Sequence, residues 1–230
     1  MIRWIVVLLL VLLGVSMYVS HQRSTRAQGA AIDAMMAGGV SANGSASASP
    51  QVLANGCTPP PAIAFGDGPL QTDAPSAMTP FAHDDALLKP LAGFSVDARV
   101  LSAKAYGSDR EAKYAPIDLA LGWGRMRDDA VLSKLDISQS GRWYSYRWSD
   151  QPPIAADEIV RSSANMHMIP SNAAVADALD DLDADDRIRI DGWLVQVEAQ
   201  DGWRWRSSLS REDSGQGACE VVYVCAVAKR

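Results

Sequence analysis

The stretch 187-RIRIDGWLVQVEAQDGWRWRSSLSR-211 decides the fold. Asp201-Gly202 between two apolar runs signals a β-hairpin, and the loop length sets which side chains share a face. A two-residue loop would pair Val197 with Arg206 and Glu198 with Trp205, mixing apolar and charged groups on both faces. A three-residue loop, Gln200 to Gly202 with Gly202 left-handed, pairs Val197 with Trp205, Val195 with Ser207 and Trp193 with Leu209, and sets Glu198 opposite Arg204. The second register separates apolar from charged and is the one expected. Upstream, Ile188 and Ile190 are even-numbered whereas Trp193, Val195 and Val197 are odd. This change of parity points to a bulge or bend at Asp191-Gly192, a device of small closed barrels.

Outward from this hairpin, 218-ACEVVYVCAV-227 is a nearly continuous apolar run suited to the middle of a sheet. Phe94, Val96, Ala98 and Val100 alternate with Ser95, Asp97 and Arg99 as in a half-buried strand. A short helix fits Asp128 onward, with Val131, Leu132 and Leu135 on one face, and GRWYSYRW (141–148) returns to strand. Ser171 behind Pro170 is placed to cap a second helix carrying Val175, Ala178, Leu179 and Leu182. The expectation is an α+β fold with a small OB-like β-barrel in the C-terminal half and two or three short helices.

The N-terminal third has a different composition. Residues 1–20, MIRWIVVLLLVLLGVSMYVS, are apolar from Trp4 to Val15 and read as a membrane anchor or a signal peptide. Trp4 and Tyr18 stand where interfacial aromatics stand, and Gly14-Val15-Ser16 is a mediocre cleavage pattern, so a retained anchor over Met1 to Val19 is expected. Residues 21–80, rich in Gly, Ala, Ser and Pro, read as a flexible linker. A single folded domain follows over 81–230. The chain carries 21 Lys and Arg against 27 Asp and Glu, a net charge of −6. Arg3, Arg23 and Arg26 hold three of the positive charges, so the remainder stands at −9 and bare nucleic acid is a poor partner.

Three cysteines are present, Cys57, Cys219 and Cys225. Positions six apart on a strand are roughly 20 Å apart, so Cys219 and Cys225 do not pair with each other. One of them is able to reach Cys57, leaving at least one thiol free.

The blocks DLALGWG (118–124), ISQSGRWY (137–144), SSANMHMIP (162–170) and DGWRWRSSLSREDSGQGACEVVYV (201–224) resemble an uncharacterised group of bacterial, mostly proteobacterial, proteins with an N-terminal membrane segment. The likeness spans Leu88 to Val224. It implies a bacterial envelope setting and no particular activity; with the apolar run at residues 1–20, the expectation is a single-pass inner-membrane protein whose folded domain is periplasmic.

Five features carry candidate chemistry. His167, between Met166 and Met168, is a candidate general base, but the flanking methionines and Pro170 favour a loop imidazole bonded to backbone. Ser214 in EDSGQG (212–217) resembles the nucleophile turn of trypsin-like serine proteases over six residues only, and a Gly-rich turn between strands explains it as well. Asp181, Asp183 and Asp185 have the one, three, five spacing of calcium loops. However, Asp186 replaces the obligatory glycine and Gly192 the closing glutamate, which leaves at most a loose cation site. A zinc site from His167, Cys219 and Cys225 lacks paired-cysteine spacing. Trp143, Tyr144, Tyr146 and Trp148 interleave with Arg142 and Arg147 as in single-strand nucleic-acid platforms, although the acidic charge favours a core or partner surface. The reading with most support is a tethered envelope domain, without cofactor, that binds a protein or ligand through these aromatics. The alternative is a hydrolase using His167.

Overall fold

The computed structural model describes residues 57–213 and 218–230. In chain order the elements are β1 (Leu70–Asp73), β2 (Phe81–His83), β3 (Ala86–Ala105), β4 (Ile117–Gly122), α1 (Asp129–Leu132), β5 (Asp136–Ser140), β6 (Trp143–Arg147), α2 (Ala156–Arg161), β7 (Ser163–Pro170), α3 (Ala173–Asp180), β8 (Arg187–Ala199), β9 (Arg204–Arg206) and β10 (Glu220–Lys229). The fold is mixed α+β and mostly sheet. Five strands pair in a cycle: β3 with β4, β4 with β7, β7 with β10, β10 with β8, and β8 back with β3. Of these pairings only β7 with β10 is parallel. Strands β1, β2 and β9 extend the margins and bulges interrupt the ladder, so the sheet is not a clean barrel. A separate hairpin, β5 and β6, lies apart from it.

Strand β8 explains the parity puzzle, and the expected bulge at Asp191-Gly192 is corrected. Ile188, Ile190 and Leu194 join one core cluster, with Phe94, Leu119 and Val222, while Trp193, Val195 and Val197 join a second, with Ile169 and Val221. The parity never changes; both faces of the strand are buried. The register shifts lie in the partner strands instead, at Leu91 of β3 and Cys225 of β10. Gly192 serves close approach: a Cβ there would collide with the carbonyl oxygen of Tyr223. Each large side chain fully buried in these clusters is worth roughly 1.5–3 kcal/mol, so the two faces of β8 anchor the domain.

The hairpin register is as expected. Val197 pairs with Trp205 and Glu198 with Arg204, Ala199 and Trp203 close the three-residue loop, and Gly202 has φ +86°. Ser207 continues the ladder by donating its N–H to the Val195 carbonyl at 3.0 Å. Leu209 departs from expectation: β9 ends at Arg206 and Leu209 is exposed.

Helix α1 starts after Asp128 as read, and α3 starts one residue later than read, because Asn172 and not Ser171 accepts the Val175 N–H (3.1 Å). Val175, Leu179 and Leu182 of the α3 region pack into the first core cluster. The linker boundary at residue 80 is also corrected. Cys57 and Ala64 are buried, β1 pairs with β3, and the Trp193 indole donates to the Thr58 carbonyl at 2.7 Å. Cys57 is disulfide-bonded to Cys225, 168 residues away, while Cys219 is free. The anchor over Met1 to Val19 and most of the linker lie outside the described residues. Among the described residues no helix is long and apolar enough to cross a membrane.

Gly192→Ala should lower unfolding free energy by roughly 3 kcal/mol, since the intruding methyl meets backbone that cannot yield. Gly202→Val should cost about 1–2 kcal/mol from its left-handed backbone alone, because a Cβ there meets open space. Glu198→Gln should cost at most about 1 kcal/mol. Urea unfolding of the three variants checks this order. If Gly192→Ala proved the mildest, the close-approach account would fail.

Candidate functional site

Strands β4 and β7 pair so that Asp118 faces His167 and Ala120 faces Asn165. Alternation sends Leu119, Met166 and Met168 into the first core cluster and turns Asp118, Asn165 and His167 to the other side. There Asp118, fully buried, accepts from three side chains: His167 Nδ1 at 2.8 Å, Arg142 Nη1 at 2.6 Å and Asn165 Nδ2 at 3.2 Å. A buried carboxylate is stable only when paired and hydrogen-bonded in this way.

Arg142 reaches in from the tip of the β5 and β6 hairpin. Gly141 (φ +57°) and Arg142 (φ +68°) form a two-residue turn with both positions left-handed, the geometry that suits tight hairpins. The guanidinium also forks onto Asp109, at 2.9 and 2.6 Å, donates to the Ala115 carbonyl at 2.9 Å and lies 4.0 Å over the Tyr106 ring. Hydrogen bonding from Arg142 holds the Asp109 carboxyl below the usual carboxylate range. Gln139 Nε2 completes the cluster by donating to Asn165 Oδ1 at 2.6 Å.

His167 is therefore not a loop residue. It sits on strand β7, 3% exposed, with Asp118 on Nδ1 and the Trp205 ring 4.7 Å away. The expected backbone partner is corrected, since the ring is bonded to the Asp118 side chain. Its burial is as expected of a packed residue, and the alignment with Asp118 orients an imidazole that is closed from solvent.

Beside the hairpin lies an open groove of about 170 Å³. Trp143, Tyr144 and Tyr146 line it together with Asn165, Arg211 and Glu220. Tyr144 and Tyr146 are half-buried against the cluster around Met126, whereas Trp143 and Trp148 are exposed. Burial pushes the Tyr144 phenol up, although it donates to Ser163 Oγ at 3.1 Å. Of the four aromatics read from the sequence, Trp148 stacks on Tyr146 at 6.1 Å and is not among the groove's lining residues.

Glu220 and Cys219 at the start of β10 also line the groove; the sequence offered Cys219 only as a zinc ligand and no motif pointed to Glu220. The Glu220 side chain is 1% exposed and pairs with Arg211 Nε at 2.8 Å, while its Oε2 has no partner. Burial raises its carboxyl to about 7, a rise that Arg211 partly opposes. Burial likewise pushes the Cys219 thiol up to about 12, far from a reactive thiolate. The one available signal for Glu220 was an acid opening an apolar strand; for Asp118 it was an acid inside IDLALG.

The remaining candidates do not converge. Asp185 pairs with Arg99 at 2.6 Å, the Asp181 carbonyl accepts from Lys229, and the Asp183 N–H is bonded to Asp186. Among the described residues no three His, Cys, Asp or Glu side chains are grouped to hold a metal. The disulfide removes Cys225 from any zinc set. Ser214 lies outside the described residues. Comparison with models of known protein families, with curated proteins and with solved structures finds no match.

The raised Glu220 carboxyl has a consequence for stability. Between its ordinary value of 4.5 and about 7 the folded chain holds a proton that the unfolded chain has lost. Stability contributed by Glu220 therefore falls as pH rises through that window, by on the order of 3 kcal/mol, and is level above it. Urea unfolding at pH 5 and pH 8 should show this fall in the native chain and a smaller one in Glu220→Gln. Equal falls in the two proteins would contradict it.

Proposed function

We propose that this chain is a membrane-tethered binding module of the bacterial envelope, built on an OB-like closed arrangement, whose ligand sits in the groove beside Trp143, Tyr144 and Tyr146. The observation that carries this reading is the contrast between two neighbouring sites. The groove is open, aromatic and edged by polar groups, as ligand sites are, whereas His167 is sealed behind Asp118, Arg142 and Trp205. A hydrolase using His167 as general base draws no support from a ring that no substrate reaches.

The OB-like arrangement is supported by the cycle of five strands, by the parallel pairing of β7 with β10, and by α3 between β7 and β8. The envelope setting is supported by the Cys57–Cys225 disulfide, which suits an oxidising compartment, and by the apolar run at residues 1–20. Both agree with the group of membrane-anchored bacterial proteins that the sequence resembles.

Photo-crosslinking in cells tests the reading. A photoreactive residue in place of Trp143 should give a discrete adduct, and one at exposed Lys229, at the opposite end of β10 from Glu220, should not. Adducts of equal yield at the two positions, or none at 143, would refute a ligand in the groove.

A further inference from the structure

We propose that the groove between β6 and the start of β10 binds a primary ammonium group carried on a short apolar stem, with Glu220 receiving the charge and the Trp143 and Tyr146 rings receiving the stem. This rests on the reading of the groove as the binding site, and it follows from which polar capacity there is already used. Arg211 is already committed in part to this corner: Nε contacts Glu220 Oε1 and the Ser210 carbonyl, each at 2.8 Å, and Nη2 reaches the Ser208 carbonyl at 3.4 Å. Acceptor capacity is in surplus, because Glu220 Oε2 has no partner although it is buried. Asp213 also lines the groove, with one oxygen held by Ser208 Oγ at 2.5 Å.

Charge points the same way. At pH 8, above the raised Glu220 value of about 7, two carboxylates, Asp213 and Glu220, share the groove with one guanidinium, in a chain of net charge −6. A cation is drawn to such a surface, and the faces of Trp and Tyr favour it further. The groove is open to solvent and has room, about 170 Å³, for a group the size of a lysine side chain. A buried carboxyl with one oxygen unpaired is costly by itself, and an arriving ammonium removes that cost. Selection should therefore be for the charged donor and not for the apolar stem alone.

The test is titration of the full chain in neutral detergent micelles with n-butylammonium, n-butanol and butyrate, followed through the Trp143 indole N–H resonance and, in every variant including Trp143→Ala, through the backbone amide resonance of Cys219, which also lines the groove. Saturable shifts with butylammonium alone are expected, weakened at least tenfold in Glu220→Gln and in Trp143→Ala. Asp213→Asn, a milder change at the groove's edge, should weaken binding less but measurably, and serves if Glu220→Gln does not fold. Nα-acetyl-lysine amide and 1,4-diaminobutane then separate a peptide side chain from a free diamine, tighter binding by either being consistent with the proposal. Equal binding of butanol, tighter binding of butyrate, or unchanged affinity in folded Glu220→Gln would overturn it. If no ammonium probe binds while the crosslink at position 143 persists, the ligand class is wrong and the binding-module reading stands; loss of both removes the reading itself.

Discussion

The ion pair between Arg142 at a hairpin tip and Asp118 on strand β4 is the contact on which the rest of the site depends. Removing one partner of such a buried pair typically costs about 3–5 kcal/mol, because the other charge is left without compensation. Here the pair has a geometric effect as well. It draws the β5 and β6 hairpin down onto β4 and β7, and the hairpin carries Trp143 and Tyr144 with it. One interaction therefore closes His167 off from solvent and raises the aromatic wall of the neighbouring groove. The left-handed backbone of Arg142, about 1–2 kcal/mol unfavourable for a non-glycine residue, is offset by the Asp118 and Asp109 contacts it permits.

The sheet beneath is rigid for a separate reason. Strand β8 buries Ile188, Ile190 and Leu194 on one side and Trp193, Val195 and Val197 on the other, so a one-residue slip would force each set into the layer packed around the other. Neighbouring β10 carries Glu220 at one end and is tied to Cys57 by Cys225 farther along. In the chain-entropy account a crosslink over so long a loop contributes roughly 5 kcal/mol. The groove thus combines a wall held by electrostatics with a floor held by packing and a covalent bond.

How much of this was legible follows from the range of each interaction. The hairpin at Asp201-Gly202 could be read because its partners lie within ten residues and alternation allowed only one sensible register. The two-sided burial of β8 was misread as a bulge, since a sequence shows that Ile190 and Trp193 are both apolar but not that different layers cover them. SSANMHMIP was taken for a loop, although Asn165 and His167 alternate with Met166 and Met168 as a strand requires. The pairing of Asp118 with His167 and Arg142 joins residues 49 and 24 positions apart, and nothing local in either segment announces the partner. Glu220 is similar: its burial is a property of the neighbouring strands and of Arg211, not of ACEVVYV.

If the Arg142 and Asp118 contact holds the hairpin in place, its removal should release the hairpin before it releases the sheet. Amide hydrogen exchange on Arg142→Met is the direct measurement. The β5 and β6 amides should lose protection by at least about tenfold more than those of β10, which open only with the whole domain. Loss of protection by the same factor in the hairpin and in β10, or a hairpin that keeps its native protection, would contradict the claim that this buried pair positions the site.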